Sequence, residues 1–212
     1  MKHLNEKDGQ EMDILTGNNL TRLCGVIAGR PAFSHESRGQ AFYGFPLEIR
    51  RLSGAVDRIP ITIRASLLSS PELADAEKLR VTGELRSFNN RRGEGARLVI
   101  SVFARELAFC DEPDANLALL TGTLCKAPNL RCTPMGRDIC DLMLAVNRPY
   151  GRSDYLPCIC WGFLARQAAG WTVGTRLRLS GRVQSRRYIK QTEAGPTERT
   201  AYEVSVADAE EV

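Results

Sequence analysis

Four aromatic side chains in the second half of the sequence stand out for what they could do together with the cations around them. Tyr150 lies between Arg148 and Arg152, and Tyr188 follows Arg186 and Arg187 and precedes Lys190. Tyr155 and Trp161 are six residues apart, which puts both on one side of any strand that contains them. Flat rings offer a π-face to an unpaired base, and guanidinium or ammonium groups hold phosphates. The combination suits sequence-neutral contact with a single polynucleotide strand. Arg131 and Arg182 are further candidates for phosphate contact. Each ring also has a competing reading as packing: Trp161 as a cap on a core, Tyr155 and Tyr188 as strand-end tyrosines, Tyr150 as a loop residue between proline and glycine. Trp171, between a short helix and a strand, reads as core.

Catalytic chemistry finds little to work with. The sequence has no GxxxxGK phosphate loop, no HExxH and no GxSxG. Its two histidines, His3 and His35, leave little for acid–base work. The carboxylates are scattered, so an enzyme is not expected. Seven cysteines occur without a CxxC pair, and no set of four suits zinc. Neither a metal nor another cofactor is expected. The odd count argues against a complete disulfide framework, and most of these cysteines fall in strand-like segments, where each reads as a small buried hydrophobe.

With 43% hydrophobic residues in 212, the chain can bury a core and has room for two domains of about 100 residues. The longest apolar run, residues 142–146, is far short of the roughly 20 a membrane helix needs, and residues 1–17 lack a signal-peptide h-region. A cytoplasmic protein without a membrane partner is expected. Net charge is only +4, yet residues 18–109 hold 14 basic and 9 acidic residues, and residues 117–207 hold 13 and 6. Two basic bodies with acidic connectors suit a polyanion.

An internal repeat organises the chain. At an offset of 97, Asn19-Leu20 falls on Asn116-Leu117, Gly25 on Gly122, Pro31 on Pro128, Asp57 on Asp154 and Pro60 on Pro157. At 98, Leu79-Arg-Val-Thr-Gly83 falls on Leu177-Arg-Leu-Ser-Gly181. The domains read as 18–109 and 116–207, with a flexible leader at 1–17, an acidic linker at 110–115 and a short acidic tail at 208–212. Periodicity within each unit is mostly two, as in Cys140, Leu142, Leu144 and Val146. One helix-compatible segment precedes the fourth strand of each unit, at 71–78 and 163–169. Five strands with a helix between the third and fourth give an all-β chain of two tandem OB-fold barrels, five-stranded Greek keys. Gly83 and Gly181, mid-strand, permit the bend that closing a barrel requires.

The second unit resembles the bacterial single-stranded DNA-binding protein family from 116 to 206. The matching pieces are Asn116-Leu-Ala-Leu-Leu-Thr-Gly122, Ala127-Pro-Asn-Leu-Arg131 with Thr133-Pro-Met-Gly136, Leu144-Ala-Val-Asn-Arg148, Cys160-Trp-Gly-Phe-Leu-Ala165 and Leu179-Ser-Gly-Arg-Val-Gln-Ser-Arg-Arg-Tyr188. The first unit, 19–104, resembles it only through its opening strand and Val81-Thr-Gly83-Glu-Leu85. The resemblance implies sequence-independent binding and protection of single-stranded DNA in replication, recombination or repair. It implies base stacking on Tyr150, Tyr155, Trp161 and Tyr188, with phosphates on Arg131, Arg148, Arg152, Arg182, Arg186, Arg187 and Lys190. It also implies four OB-folds around one strand, hence a homodimer of this two-barrel chain. RNA shares the π-faces and phosphates, so weak RNA binding is expected as well.

The first unit departs from that pattern. At the equivalents of Tyr150, Tyr155, Trp161 and Tyr188 it has Ser53, Arg58, Arg64 and Asn90. It keeps Arg50, Arg51, Arg58, Arg64, Arg86, Arg91 and Arg92, and Phe88 is placed to substitute for a lost ring. The expectation is weaker DNA contact there. Phe42, Tyr43 and Phe45 form a separate aromatic cluster with no role assigned from sequence. Family members usually end in a long flexible segment and an acidic tip with a terminal phenylalanine. This sequence ends Asp208-Ala-Glu-Glu-Val212, so tip-mediated recruitment of repair and replication enzymes is not expected. The rival reading is an OB-fold assembly factor of primosome type, touching DNA secondarily. Whether the setting is a host, a phage or a conjugative element is open.

Overall fold

The computed structural model describes residues 17–70, 73, 77–90, 98–149, 151–192 and 195–212. The first unit contains β1 (Asn19–Ile27), β2 (Ala32–Ser37), β3 (Gln40–Arg50), β4 (Val56–Arg64), a 3-10 turn (Ala65–Leu67), β5 (Lys78–Asn89) and β6 (Leu98–Phe109). The second contains β7 (Ala115–Leu124), β8 (Asn129–Cys132), β9 (Asp138–Arg148), β10 (Arg152–Trp161), α1 (Gly162–Ala168), β11 (Arg176–Thr192) and β12 (Gly195–Glu211). The first helix expected from sequence, 71–78, lies largely outside the described residues. Of those within it, Leu73 is helical and Lys78 opens β5. The second, expected at 163–169, is α1, one residue earlier. The expected leader lies, but for Gly17, outside the described residues.

Each unit closes on itself. In the first, β1 pairs with β3, β3 with β4, β4 with β6 in parallel, β6 with β5 and β5 with β1. The second repeats this circuit through β7, β9, β10, β12 and β11. Five strand directions with one parallel closure make an OB barrel, its first strand split into β1 and β2, or β7 and β8. The period-2 pattern fills each interior. Leu23, Leu47, Ile59, Ile61, Leu79 and Leu85 fill the first, and Leu120, Leu144, Leu156, Leu177, Leu179 and Val183 the second. Trp171 is buried with the second set.

Gly83 and Gly181 lie at register shifts of the β5–β6 and β11–β12 ladders. A Cβ at Gly83 would meet the Phe103 carbonyl oxygen at 2.2 Å, and one at Gly181 the Ser205 oxygen at 2.3 Å. Both contacts are with backbone of the facing strand, which cannot swing aside. Gly181→Ala is expected to destabilise the protein by about 1–3 kcal/mol, read as a lower urea midpoint with an unchanged slope.

The barrels are joined through their first strands. β1 pairs antiparallel with β7 over six residue pairs, from Asn19↔Leu120 to Cys24↔Ala115. The register is symmetric under the 97-residue offset, since Asn19↔Leu120 maps onto Asn116↔Leu23. Offsets of 97 and 98 relate side chains too. Asn19 Nδ2 donates to the Leu85 carbonyl and its Oδ1 accepts from the Leu85 N–H; Asn116 does the same with Val183.

Two expectations change, those for the tail and for the cysteines, and the acidic linker gains contacts that sequence does not show. The stretch 208–212 is not a tail: Asp208 to Glu211 continue β12 against Ser180 to Leu177, with Ala209 buried and Arg178 bridged to Glu210 at 2.8 Å. Alternation inside a strand places Asp208 and Glu210 outward and Ala209 inward, which a composition reading takes for a solvated end. The linker is held down. Lys78 reaches Asp114 at 2.8 Å, Arg80 reaches Glu112 at 2.7 Å, and the Arg50 N–H donates to Asp114. Burial works to raise the Asp114 carboxyl, but the bonds from Lys78 and Arg50 outweigh it and hold it below its ordinary range. Finally, Cys24 and Cys110 are joined as a disulfide, with Cα atoms 6.3 Å apart. Cys140, Cys158 and Cys160 are buried in the second barrel, and burial raises the Cys160 thiol to about 12.

Candidate nucleic-acid interface

Along β10 the side chains alternate. Leu156, Cys158 and Cys160 enter the barrel, and Tyr155, Ile159 and Trp161 face out. Tyr155 is 48% exposed and Trp161 39%. Both are thus on the outer face, about 20 Å apart along the strand. Trp161 stands opposite Ile139 on β9, and Ile139 opposite Arg131 on β8. Ile159 neighbours Ser205 on β12. Together they floor an open groove of about 990 Å³ whose walls carry Arg131, Arg137, Arg182 and Arg186, with Arg51 reaching in from the first barrel and Glu203 as its carboxylate.

The β11–β12 hairpin extends this face. Arg182, Gln184, Arg186 and Tyr188 alternate on one side of β11, and the Arg186 guanidinium lies 5.6 Å from the Tyr188 ring centre. Tyr188 is directly across from Arg199. Arg187 sits 3.7 Å from Glu198, a loose exposed pair worth at most about 1 kcal/mol, and exposed Arg186 lies 3.8 Å from Glu203, a largely buried carboxylate that accepts from Gln184 at 2.7 Å, so neither guanidinium is tightly held against an incoming phosphate. Sequence alone does not single out Arg137 and Arg199. Arg199 becomes visible only once the hairpin register is known. Arg137 comes into place through the turn at Gly136, where φ is 75°.

Two arginine side chains in this region lack a full set of partners. The Nε of Arg182 and that of Arg199 are buried with no hydrogen-bond partner among the described residues. Burial, then the charge of Arg51, pushes the Arg182 guanidinium below its ordinary pKa, with Asp57 opposing. A guanidinium N–H left without an acceptor is a place where an anion's oxygen is favourable. Arg131 differs: it holds Asp141 in a two-bond contact at 2.6 and 3.0 Å.

Arg148, expected to hold phosphate, is committed elsewhere. Its Nε donates to Asp154 Oδ2 at 2.6 Å, and its second nitrogen donates to Asp154 Oδ1 and to the Ser87 carbonyl of the first barrel. Asp154 is fully buried and also accepts from the Ser87 N–H at 2.5 Å and from Arg86 at 3.1 Å, while Ser87 Oγ accepts from the Tyr155 N–H. The offset reproduces this clamp. Arg51 pairs with buried Asp57, which accepts from the Ser185 N–H of the second barrel at 2.9 Å, and Ser185 Oγ accepts from the Arg58 N–H. The bond to Asp57 holds the Arg51 guanidinium above its ordinary pKa.

The remaining candidates are dispersed. Arg152 and Arg50 are exposed at strand ends. Arg58 lies 3.5 Å from Glu48, Arg86 bridges Glu84 and Asp154, and Phe88 is 55% exposed on β5. Arg64 lies over the Phe103 ring at 5.4 Å. Phe42, Tyr43 and Phe45 do not act as one cluster: Phe45 is buried in the core, Tyr43 packs against it, and Phe42 faces out. Tyr150, Arg91, Arg92 and the side chain of Lys190 lie outside the described residues.

Residues 115–212 match the model of the single-strand binding protein family. Among curated relatives, Single-stranded DNA-binding protein 3 of Listeria innocua is 36% identical over 80 residues, covering 34% of this chain and 50% of that protein. Single-stranded DNA-binding protein A of Bacillus subtilis is 34% identical over 83 residues, covering 36% of this chain and 48% of that protein. The chain thus spans about half the length of the curated relatives it matches. The wild-type single-stranded DNA-binding protein of Thermus aquaticus has the same fold over 92% of this chain and 93% of its own, with a TM-score of 0.73 at 22% identity. No helix among the described residues is long and apolar enough to cross a membrane.

Proposed function

We propose, on the premise that residues 115–212 form a single-strand binding protein family domain, that this chain binds single-stranded DNA without sequence preference. Its role is to cover exposed strands during replication, recombination or repair in the bacterial cytoplasm, without catalysis. The observation that carries the reading is the groove of the second barrel, where the exposed ring of Trp161 lies beside arginines and the buried Nε of Arg182 lacks a partner among the described residues. Bases stack on Tyr155, Trp161 and Tyr188. Arg131, Arg137, Arg182, Arg186 and Arg199 lie where the sugar–phosphate chain passes, and Arg152 and Arg187 flank it.

The logic favours single strands because a duplex keeps its base faces inside its own stack. Each stacked base contributes about 1–3 kcal/mol. Each phosphate neutralised contributes about −0.7 to the slope of log affinity against log salt. Titrating the intrinsic tryptophan fluorescence with poly-dT across a salt series is expected to show quenching, with a slope of roughly −2 to −4, or about three to six phosphates. Duplex DNA of equal length is expected to bind far more weakly at each salt concentration. Equal binding of duplex and single strand refutes the stacking role.

The chain acts as a homodimer, bringing four barrels to one strand. The first-strand edges of both barrels are already used within the chain by the β1–β7 ladder, so the second copy docks through another surface. Light scattering at micromolar protein is expected to give about twice the chain mass of 23.5 kDa; a mass of one chain contradicts the dimer.

A further inference from the structure

Position by position, the first barrel has lost its rings: Arg58 stands where the second has Tyr155, and Arg64 where it has Trp161. The ladders allow a different comparison, across strands. In the second barrel a row runs Arg131 (β8), Ile139 (β9), Trp161 (β10), with Ile159 leading to Ser205 (β12). The equivalent row in the first runs His35 (β2), Phe42 (β3), Arg64 (β4), with Thr62 leading to Phe103 (β6). The ring and the cation are both present, but they have exchanged strands. Aromatic groups occupy the positions of Arg131, Ile139 and Ser205, and the guanidinium occupies that of Trp161.

These side chains form a connected surface. The His35 and Phe42 rings are stacked, 4.8 Å apart at 14°. Phe42 and Phe103 lie 6.0 Å apart, and the Arg64 guanidinium is 5.4 Å from the Phe103 centre. None belongs to the core. Ile61, Ile63 and Val102, their neighbours along β4 and β6, point inward and are buried, while Phe42 and Phe103 are half-buried on the outer side and His35 and Arg64 are exposed. Arg64 makes no ion pair among the described residues. Rings that merely sealed a sheet would not need an unneutralised cation over one of them. A base stacked on Phe42 or Phe103, with its phosphate on Arg64, uses all of it.

We propose that the first barrel carries a second stacking site for single-stranded nucleic acid, built from Phe42 and Phe103 with Arg64 and His35, and displaced by one strand from the site on the second barrel. This rests on the reading that the second barrel stacks unpaired bases. A strand long enough to reach both barrels engages both rows, and a short one binds at the second barrel.

The test pairs two ligands with two kinds of variant. Oligo-dT of about 10 nucleotides fits one barrel, and about 35 spans two. The double variant Phe42→Leu with Phe103→Leu keeps apolar volume and removes both π-faces. It is expected to weaken binding of the long oligomer roughly tenfold or more while leaving the short one within about twofold. Arg64→Gln, a surface change, is expected to lower long-oligomer affinity and its salt dependence without altering the fold. As an independent readout, Phe42→Trp in a Trp161→Phe background gains fluorescence that long oligo-dT quenches. Unchanged long-oligomer affinity in the Leu double variant and in Arg64→Gln overturns the proposal, as does fluorescence of the Phe42→Trp variant that is indifferent to DNA. If the Leu variant instead halves the mass and spares DNA affinity, the face is an interface between copies and the proposal falls. Failure of the underlying reading is separate: short-oligomer binding by the parent would then not respond to Trp161→Ala.

Discussion

Replacing Tyr155 and Trp161 together by alanine is expected to weaken oligo-dT binding by roughly 2–6 kcal/mol, a loss of about thirtyfold or more, in a protein that remains folded. Both rings stand on the outer face of β10 with 48% and 39% of their surface in solvent. Truncating them opens no cavity among Leu156, Cys158 and Cys160, which fill the barrel from the other side of the same strand. Affinity and stability are therefore separable here. Equilibrium titration measures the first and a urea midpoint the second. Trp161→Phe, which keeps a π-face, is expected to retain most of the binding. If the double alanine variant is folded and binds as tightly as the parent, stacking on this face is wrong.

The second large effect is on stability. Asp154→Ala is expected to destabilise the protein by about 3–5 kcal/mol. The carboxylate is fully buried and accepts bonds from Arg148, from Arg86 and from the Ser87 N–H of the other barrel. Removing it takes the anion from Arg148 and the acceptor from a backbone donor at the seam between barrels, and leaves Arg86 with Glu84 alone. Asp57→Ala, its counterpart, is expected to cost a similar amount, because it removes the anion from Arg51 and from the Ser185 N–H. Denaturant unfolding measures both. A change within about 0.5 kcal/mol in either would mean that the clamp contributes nothing and that the β1–β7 ladder alone joins the barrels.

The repeat seen in sequence is a physical symmetry of the molecule. Offsets of 97 and 98 align not only the strands but also the β1–β7 register, the Asn19 and Asn116 bonds and the two Arg–Asp clamps. It was legible because the barrels need small residues and turns at the same strand positions, Gly25 with Gly122 and Gly83 with Gly181. The outward placement of Tyr155 and Trp161 was legible too, since strand period alone decides it once Leu156 and Cys158 are inside.

What stayed hidden depends on pairing between distant residues. Arg148 and Arg186 are the same residue type in similarly basic surroundings, and only the fold shows that one is held by Asp154 and the other lies beside a tyrosine ring. Backbone edges carry no side-chain signal, so the joining of β1 to β7 left no mark. Cys24 and Cys110, 86 residues apart, are neighbours only because the chain returns from β6 past β1. The row of His35, Phe42 and Phe103 escaped because aligning halves by offset compares positions along the chain, whereas the ring moved sideways to adjacent strands.

The central claim is that rings on the outer face of the second barrel hold unpaired bases. The most direct measurement is ultraviolet crosslinking of the intact protein to an oligo-dT carrying 5-iodouracil, with adducts located by mass spectrometry. A base stacked on a ring joins it at zero length, so adducts are expected on Tyr155, Trp161 and Tyr188. A protein fully bound to the oligomer, with adducts falling outside that face and none on these three residues, would contradict it.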